Sequence, residues 1–269
     1  MKKIISTIAV ISVFAIIIVF CLISVLSQKN IEYGEKADFK QIEEIVTEGE
    51  TRSIKTPIIL NTGDEEKVIK LSNEPSESIT YQTTYYQPHS VSDLLSMNID
   101  CFGWLSIAGA NINYPVMHTP NNPQKYLHKS FYGEYSQSGV PFLDSCCNSD
   151  STNLIVYGHN MNNGTMFANL CNYTDFSYFT QNPTVVLETN RGVSTYTVFA
   201  VMKAKVDDDW YRFITADTKR DYDSKIKYAK THGLYDTGIS PEYNKQLLTL
   251  STCYGSNSDN RILVLAAKN

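Results

Sequence analysis

A cysteine and an arginine stand at the facing ends of two apolar runs near the carboxy terminus of the sequence. Cys253 closes the run that begins at Leu248, and Arg261 opens the run that continues to Leu265. Arg261 follows Cys253 by eight positions, so a short loop can return the guanidinium to the thiol. A cysteine sulfur is a nucleophile for acyl transfer, and a guanidinium can stabilise the oxyanion that forms at the attacked carbonyl.

His159 is the histidine best placed to serve this thiol as an acid and base. It follows the apolar run 154–157 and Gly158, and it opens a loop rich in asparagine and glycine. An imidazole at such a strand end is accessible enough to exchange protons. Taken alone, each of the three residues also has an ordinary explanation, as a buried cysteine, a loop histidine or a strand-edge charge. The other four histidines are weaker candidates: His89, His118, His128 and His232.

The part of the sequence that follows residue 90 is dominated by short strand patterns. Turn-forming Gly, Asn and Pro residues separate eight such segments, at 102–107, 112–117, 140–144, 153–157, 184–189, 194–206, 245–252 and 262–267. Short strands at irregular spacing favour a closed or nearly closed β-barrel over alternating β-α-β units. The predicted fold class is therefore mainly β.

Three helices are predicted beside these strands. A short helix near residue 94 would be capped by Ser90 or Ser92, and a second short helix covers 165–170. The third is longer, at 216–231, and it precedes the cysteine strand. Its apolar face consists of Tyr222, Ile226 and Ala229.

The amino-terminal third has a different composition. After Lys2 and Lys3, an uncharged apolar run extends through Leu26, which is long enough to span a bilayer as a helix. The run is longer than the apolar region of a cleaved signal peptide, so residues 1–27 predict a signal-anchor with its lysines inside the cell. Residues 28–89 are rich in charged and hydroxyl side chains and predict a flexible or partly helical extracellular stalk. The compact domain is expected at 90–269.

Charge and cysteine content exclude several classes of protein. The net charge is −5, with the acidic excess in the stalk and no basic stripe, which argues against nucleic-acid binding. Six cysteines without Cys-x-x-Cys spacing do not predict a zinc site. A bridge from Cys146 or Cys147 to Cys101 or Cys171 remains open. The three acids at 207–209 could suggest calcium, but they are more typical of a solvated turn, and we expect neither metal nor cofactor.

Two segments together resemble the signatures of the sortases, membrane-anchored cysteine transpeptidases of Gram-positive bacteria. The first is Thr-Leu-Ser-Thr-Cys at 249–253 with Arg261 downstream. The second is Tyr-Gly-His-Asn-Met at 157–161, ahead of Gly-Thr-Met-Phe at 164–167. The helical insertion before the cysteine strand, and Ser251 two positions before the cysteine, resemble class B in particular. The resemblance covers about residues 90–269, and the predicted anchor and stalk fit the same organisation.

The resemblance implies an eight-stranded barrel in which Cys253, His159 and Arg261 meet in a groove. Cys253 would attack a threonine carbonyl in the carboxy-terminal sorting signal of a secreted protein. An amine of a peptidoglycan precursor or cross-bridge would then resolve the thioacyl-enzyme. His159 would act as acid for the leaving amine and base for the incoming one, while Arg261 and the backbone N–H of Tyr254 stabilise the tetrahedral intermediate. The predicted substrate-groove residues are Ser251, Tyr211 and Tyr254.

Two other functions remain compatible with the sequence. A secreted cysteine peptidase would use the same thiol and histidine with water as acceptor, although the papain-type Cys-Gly-Ser-Cys-Trp pattern is absent. A non-catalytic surface β-domain would not need Cys253 at all. For the aromatic cluster Trp210, Tyr211 and Phe213 before the long helix, packing of that helix against the core is favoured over a place in the substrate groove. The predicted location is the cell membrane, with a single span and an extracellular catalytic domain.

Overall fold

A computed structural model describes residues 2–47, 52–57, 81–86, 88–255 and 259–269. Its helices are α1 (Lys2–Val46), α2 (Val91–Met97), α3 (Phe176–Gln181) and α4 (Lys219–Thr231). Its strands are β1 (Arg52–Pro57), β2 (Tyr81–Tyr86), β3 (Cys101–Ile107), β4 (Ile112–Met117), β5 (Phe142–Leu143), β6 (Asn153–Tyr157), β7 (Thr184–Thr189), β8 (Gly192–Lys205), β9 (Leu247–Cys253) and β10 (Asn260–Lys268). Short 3-10 helices cover Ala108–Ala110, Ala168–Thr174 and Asp209–Arg212.

Strands β3 to β10 form a closed barrel in the order β10-β8-β7-β3-β4-β5-β6-β9. Two neighbouring pairs are parallel, β4 with β5 and β6 with β9, and the other pairs are antiparallel. The predicted eight-stranded barrel is therefore confirmed. The strand at 140–144 is shorter than expected, because only Phe142 and Leu143 pair with β6.

The core of the barrel is formed largely by aliphatic side chains from these strands, and in β6, β9 and β10 the buried positions are consecutive. Leu105, Ile155, Leu187 and Val264 are each almost completely buried. Burial of one such side chain contributes about 1.5–3 kcal/mol to stability relative to an exposed position. This densely packed scaffold fixes the strand ends that carry the candidate site.

Helix α4 begins at Lys219 because Thr218 caps it, with its Oγ1 accepting the Asp221 N–H at 3.2 Å. The predicted face of Tyr222, Ile226 and Ala229 is buried, as expected.

The shorter helices also depend on their caps. Ser90 caps α2 as expected. The helix predicted at 165–170 is wrong in position, since the segment Ala168–Thr174 forms a 3-10 helix instead. Asp175 then starts the unpredicted α3 by accepting the Ser177 N–H.

Regular structure continues from the predicted anchor into the stalk, which was expected to be flexible or partly helical. Helix α1 continues to Val46, well beyond the predicted end of the anchor at residue 27. Strands β1 and β2 pair with each other inside the predicted stalk, and the stalk residues 58–80 lie outside the described residues. Within the described residues, the helical stretch Ile16–Val46 is long and apolar enough to cross a membrane. Residues 1–45 and 46–269 are two separate compact units.

Candidate active site

Strand pairing places Arg261 directly opposite Cys253. Their Cα positions are partners across β9 and β10. The N–H of Tyr254 donates to the Asn260 carbonyl at 3.0 Å. Because hydrogen-bonded and non-hydrogen-bonded pairs alternate, Cys253 and Arg261 form the next, non-hydrogen-bonded pair, whose side chains stand closer together. Both residues are only partly buried, so the pair is accessible from solvent.

The parallel pairing of β6 with β9 brings His159 to the same end of the barrel. Tyr157 is the register partner of Ser251, and the Gly158 N–H donates to the Ser251 carbonyl at 3.1 Å. Two residues further along each strand are His159 and Cys253. The structure therefore brings the predicted histidine, cysteine and arginine together at the ends of three neighbouring strands.

Close packing explains why glycine precedes the histidine. A Cβ atom at Gly158 would lie 2.6 Å from the ring of Phe167, which is fully buried. The Phe167 N–H also donates to the His159 carbonyl at 2.8 Å. The main chain at Gly158 and His159 therefore packs directly against Phe167, and only glycine at position 158 leaves room for the Phe167 ring.

The hydrogen bond of the His159 ring assigns different roles to its two nitrogens. Nε2 lies 2.9 Å from the Leu127 carbonyl oxygen, which can only accept, so Nε2 carries a hydrogen. Nδ1 is then the nitrogen that takes up and releases a proton. The ring also stacks on His128, with centroids 5.3 Å apart.

Burial lowers the pKa of His159 below its usual 6.5, the Leu127 carbonyl opposes this shift, and the charge of His128 adds to it. We expect an NMR titration of the folded protein to place the His159 midpoint below pH 6.5, with the Nε2–H tautomer present at neutral pH. Between that midpoint and 6.5 the unfolded chain binds more protons, so His159 lowers the free energy of unfolding as the pH falls. A midpoint above 6.5 would contradict this assignment.

Burial raises the pKa of three of the other thiols. It raises the pKa of Cys101 and of Cys147 to about 12, so both remain protonated. It also raises the pKa of Cys171, with a smaller contribution from the neighbouring Cys253. All six cysteines are free, so the bridges left open for Cys146, Cys147, Cys101 and Cys171 do not form. Cys253 is partly exposed, as Cys171 is, and the β6–β9 register extends to place Cys253 beside His159.

The aromatic cluster before α4 divides into core and site residues. Trp210 and Phe213 are buried, and the Trp210 indole N–H donates to the Thr249 hydroxyl at 2.9 Å. Tyr211 is only partly buried, and its hydroxyl lies 2.7 Å from Ser251 Oγ. Burial raises the pKa of Tyr211 to about 12, so it stays a neutral hydrogen-bonding group. Ser251 is 1% exposed, so Tyr211 presents the larger surface to solvent.

Tyr254 lies beside the site but does not supply the expected oxyanion donor. Its N–H is already bonded to the Asn260 carbonyl, which also accepts a hydrogen bond from Arg261 Nη1 at 2.9 Å. The Lys203 ammonium lies over the Tyr254 ring, with Nζ 4.6 Å from the ring centroid. Of the two predicted oxyanion donors, only Arg261 remains a candidate.

Two of the three acids considered for calcium, Asp208 and Asp209, have structural partners. Asp208 caps the 3-10 helix through the Trp210 N–H and accepts a hydrogen bond from the Tyr228 hydroxyl, while Asp209 pairs with Lys225. In the described part of the chain, no three His, Cys, Asp or Glu side chains are grouped as metal ligands.

A cleft of about 560 Å³ surrounds Gln246, at the opposite end of β9 from Cys253.

A cysteine, a histidine and an arginine at adjoining strand ends of a closed β-barrel are the groups that a cysteine acyl-transfer enzyme requires. A family model described as the sortase domain matches residues 105–269. Sortase B of Listeria monocytogenes is 32% identical over 165 residues, which cover 60% of this chain and 65% of that protein. The chain belongs to the sortase family of cysteine transpeptidases, and its relatives are sortases B.

Solved structures agree with this assignment. The crystal structure of Clostridium perfringens sortase B is 34% identical with a TM-score of 0.62, and the match covers 67% of this chain and 100% of that chain. The Staphylococcus aureus sortase B–substrate complex is 26% identical, also with a TM-score of 0.62, and the match covers 66% of this chain and 84% of that chain. The second of these is a protein with its substrate bound.

Proposed function

We propose that this chain cleaves a carboxy-terminal sorting signal through a thioacyl-enzyme on Cys253 and transfers the new end to a cell-wall amine. The proposal is supported by one observation above all, the register that sets Cys253 opposite Arg261 and next to the extension of β6 that carries His159. Acyl transfer needs these three groups within reach of one carbonyl.

The first half-reaction forms the thioacyl-enzyme. As the Cys253 sulfur attacks the threonine carbonyl carbon, Nδ1 of His159 takes the thiol proton. The carbonyl oxygen becomes an oxyanion that the Arg261 guanidinium stabilises. When the intermediate collapses, the C–N bond breaks and the imidazolium returns the proton to the leaving amine. The lowered pKa of His159 suits this sequence, because a neutral ring accepts the proton and readily gives it back.

The second half-reaction reverses these roles for a new amine. The incoming amine attacks the thioester carbon and loses a proton to His159, and the sulfur of Cys253 leaves and recovers that proton. The acceptor is a peptidoglycan precursor or cross-bridge amine. Tyr211 and Ser251 line the signal's groove, and the ring of Tyr254 borders it.

We further propose that residues 1–27, which include the first part of α1, anchor the chain in the cell membrane with a single span. Lys2 and Lys3 hold its amino terminus inside, and the catalytic domain at 90–269 faces outward, where secreted proteins and cell-wall precursors are found. Residues 28–89 form the stalk between the two.

Partitioning of the product between acid and amide tests acyl transfer. Asn-Pro-x-Thr-like and Leu-Pro-x-Thr-Gly-like peptides would be incubated with the full chain and increasing triglycine, and both products quantified by mass spectrometry. Because both products arise from one thioacyl-enzyme, we expect the amide to rise and the acid to fall as triglycine increases. A ratio of amide to acid that does not change with triglycine concentration would support the cysteine peptidase instead. The Cys253→Ala protein is the control for uncatalysed hydrolysis.

A further inference from the structure

The strand ladder beside the nucleophile ends in a side-chain hydrogen bond. In the parallel pair of β6 and β9, the Gly158 N–H donates to the Ser251 carbonyl. Every second residue of a strand donates to its parallel neighbour, so in a continued ladder the N–H of residue 160 would donate to the Cys253 carbonyl. The main chain of Asn160 instead pairs with Met166. The side chain replaces the missing ladder bond, since Asn160 Nδ2 lies 3.0 Å from the Cys253 carbonyl oxygen.

The orientation of this amide is determined by its neighbours. A carbonyl oxygen can only accept, so the NH₂ end of Asn160 must face Cys253. The other amide hydrogen is directed at Cys171, whose Sγ lies 3.3 Å from Asn160 Nδ2. Cys171 Sγ is in turn 3.8 Å from the same Cys253 carbonyl. The Asn160 amide, the Cys171 thiol and the Cys253 carbonyl therefore each contact the other two.

We propose that Asn160 is a positioning residue that holds the main chain of Cys253 in register with His159. Cys253 is the last residue of β9, and the chain turns immediately afterwards at Gly255, where φ is +70°. On the side of β6, the Thr252 hydroxyl donates to the Gly158 carbonyl at 2.7 Å, and the Asn160 amide extends this attachment by one residue to the Cys253 carbonyl. Since Asn160 directly follows His159, the amide links the peptide segment carrying the acid-base to the one carrying the nucleophile. The inference rests on the proposed role of Cys253.

This role predicts an effect on turnover rather than on substrate binding. Loss of the amide would let the Cys253 main chain shift relative to the imidazole, and small misplacements of reacting groups are costly for catalysis. In the Asn160→Ala variant we expect kcat for peptide cleavage to fall about 10-fold with KM nearly unchanged. The Asn160→Asp variant keeps the size of the side chain but sets a carboxylate against the carbonyl, so it should lose more activity at neutral pH.

The aspartate variant also provides a signature that a purely structural role would not produce. A protonated carboxyl regains one hydrogen-bond donor. The ratio of Asn160→Asp to wild-type activity should therefore rise as the pH is lowered through the range in which a carboxyl group is protonated. Asn162→Ala, an exposed asparagine of the same loop, is the matched control and should retain wild-type kcat.

The experiment measures kcat, KM and thermal midpoint for the full-length wild type and the Asn160→Ala, Asn160→Asp and Asn162→Ala variants. The alkylation rate of Cys253 by iodoacetamide, followed by mass spectrometry without any peptide, reports the nucleophile directly. A lower kcat and an altered Cys253 alkylation rate in both Asn160 variants would support the proposal. Unchanged kcat, a change in KM alone, or a lower thermal midpoint with normal turnover would each overturn it. A wild-type chain that forms no thioacyl-enzyme would instead refute the proposed function, whatever the alkylation rates.

Discussion

Replacement of Cys253 by alanine should abolish cleavage of a sorting-signal peptide, with a loss of about 10⁴-fold or more in kcat. The reason is chemical, since no other described thiol lies beside His159 in the strand register, and burial keeps Cys101 and Cys147 protonated. Peptide cleavage followed by mass spectrometry or a fluorescent reporter measures the loss. Because Cys253 is only partly buried, the free energy of unfolding should change little.

Cys146→Ala is the matched control for this variant. Cys146 is an exposed free cysteine, and its N–H, rather than its thiol, bonds Asp144. We expect the control to retain full activity. Substantial cleavage by a correctly folded Cys253→Ala protein would show that the reaction does not proceed through this sulfur.

Arg261→Ala should lower kcat by about 10²–10³-fold, the typical cost of removing one oxyanion donor. Arg261→Lys should recover only part of this loss, because an ammonium keeps the charge but lacks the planar fork of the guanidinium. Steady-state kinetics on one peptide measure the effect, and circular dichroism checks that the barrel remains folded. Arg220→Ala, an exposed arginine on α4, should leave kcat unchanged.

The kinetic parameter that changes distinguishes two roles for Arg261. A group that acts on the developing oxyanion lowers kcat and kcat/KM together, whereas a group that only binds the peptide raises KM. An Arg261→Ala variant with normal kcat and a raised KM would therefore make this residue a substrate contact and leave the oxyanion without a donor.

The sequence predicts contacts between residues on consecutive strands better than contacts between residues that lie far apart along the chain. Cys253 and Arg261 are eight positions apart on consecutive strands, so their contact follows from a short loop. The juxtaposition of His159 and Cys253 depends on the parallel pairing of β6 with β9, across more than ninety residues of intervening chain. Strand patterns indicate that both strands exist but not which strands pair, so only the family resemblance predicted this contact.

The supporting residues of the site were missed for the same reason. Asn160 and Leu127 act through a side-chain amide and a main-chain carbonyl, and neither has a pattern that distinguishes it from an ordinary loop residue. The hydrogen bond from the Tyr254 N–H to the Asn260 carbonyl likewise has no sequence pattern that marks it, and it occupies a donor that was expected to bind the oxyanion. Strands β1 and β2 are largely polar and lie far apart in sequence, so no apolar alternation marked them.

The acyl-enzyme is the species that the whole scheme requires. The full chain would be mixed with a sorting-signal peptide, quenched in acid within its first turnovers, and digested for peptide mapping by mass spectrometry. We expect the amino-terminal product of the peptide to be attached to the fragment that contains Cys253, and we expect added triglycine to discharge it as the amide. Product formation without any adduct at Cys253, or with the adduct on another residue, would contradict the scheme.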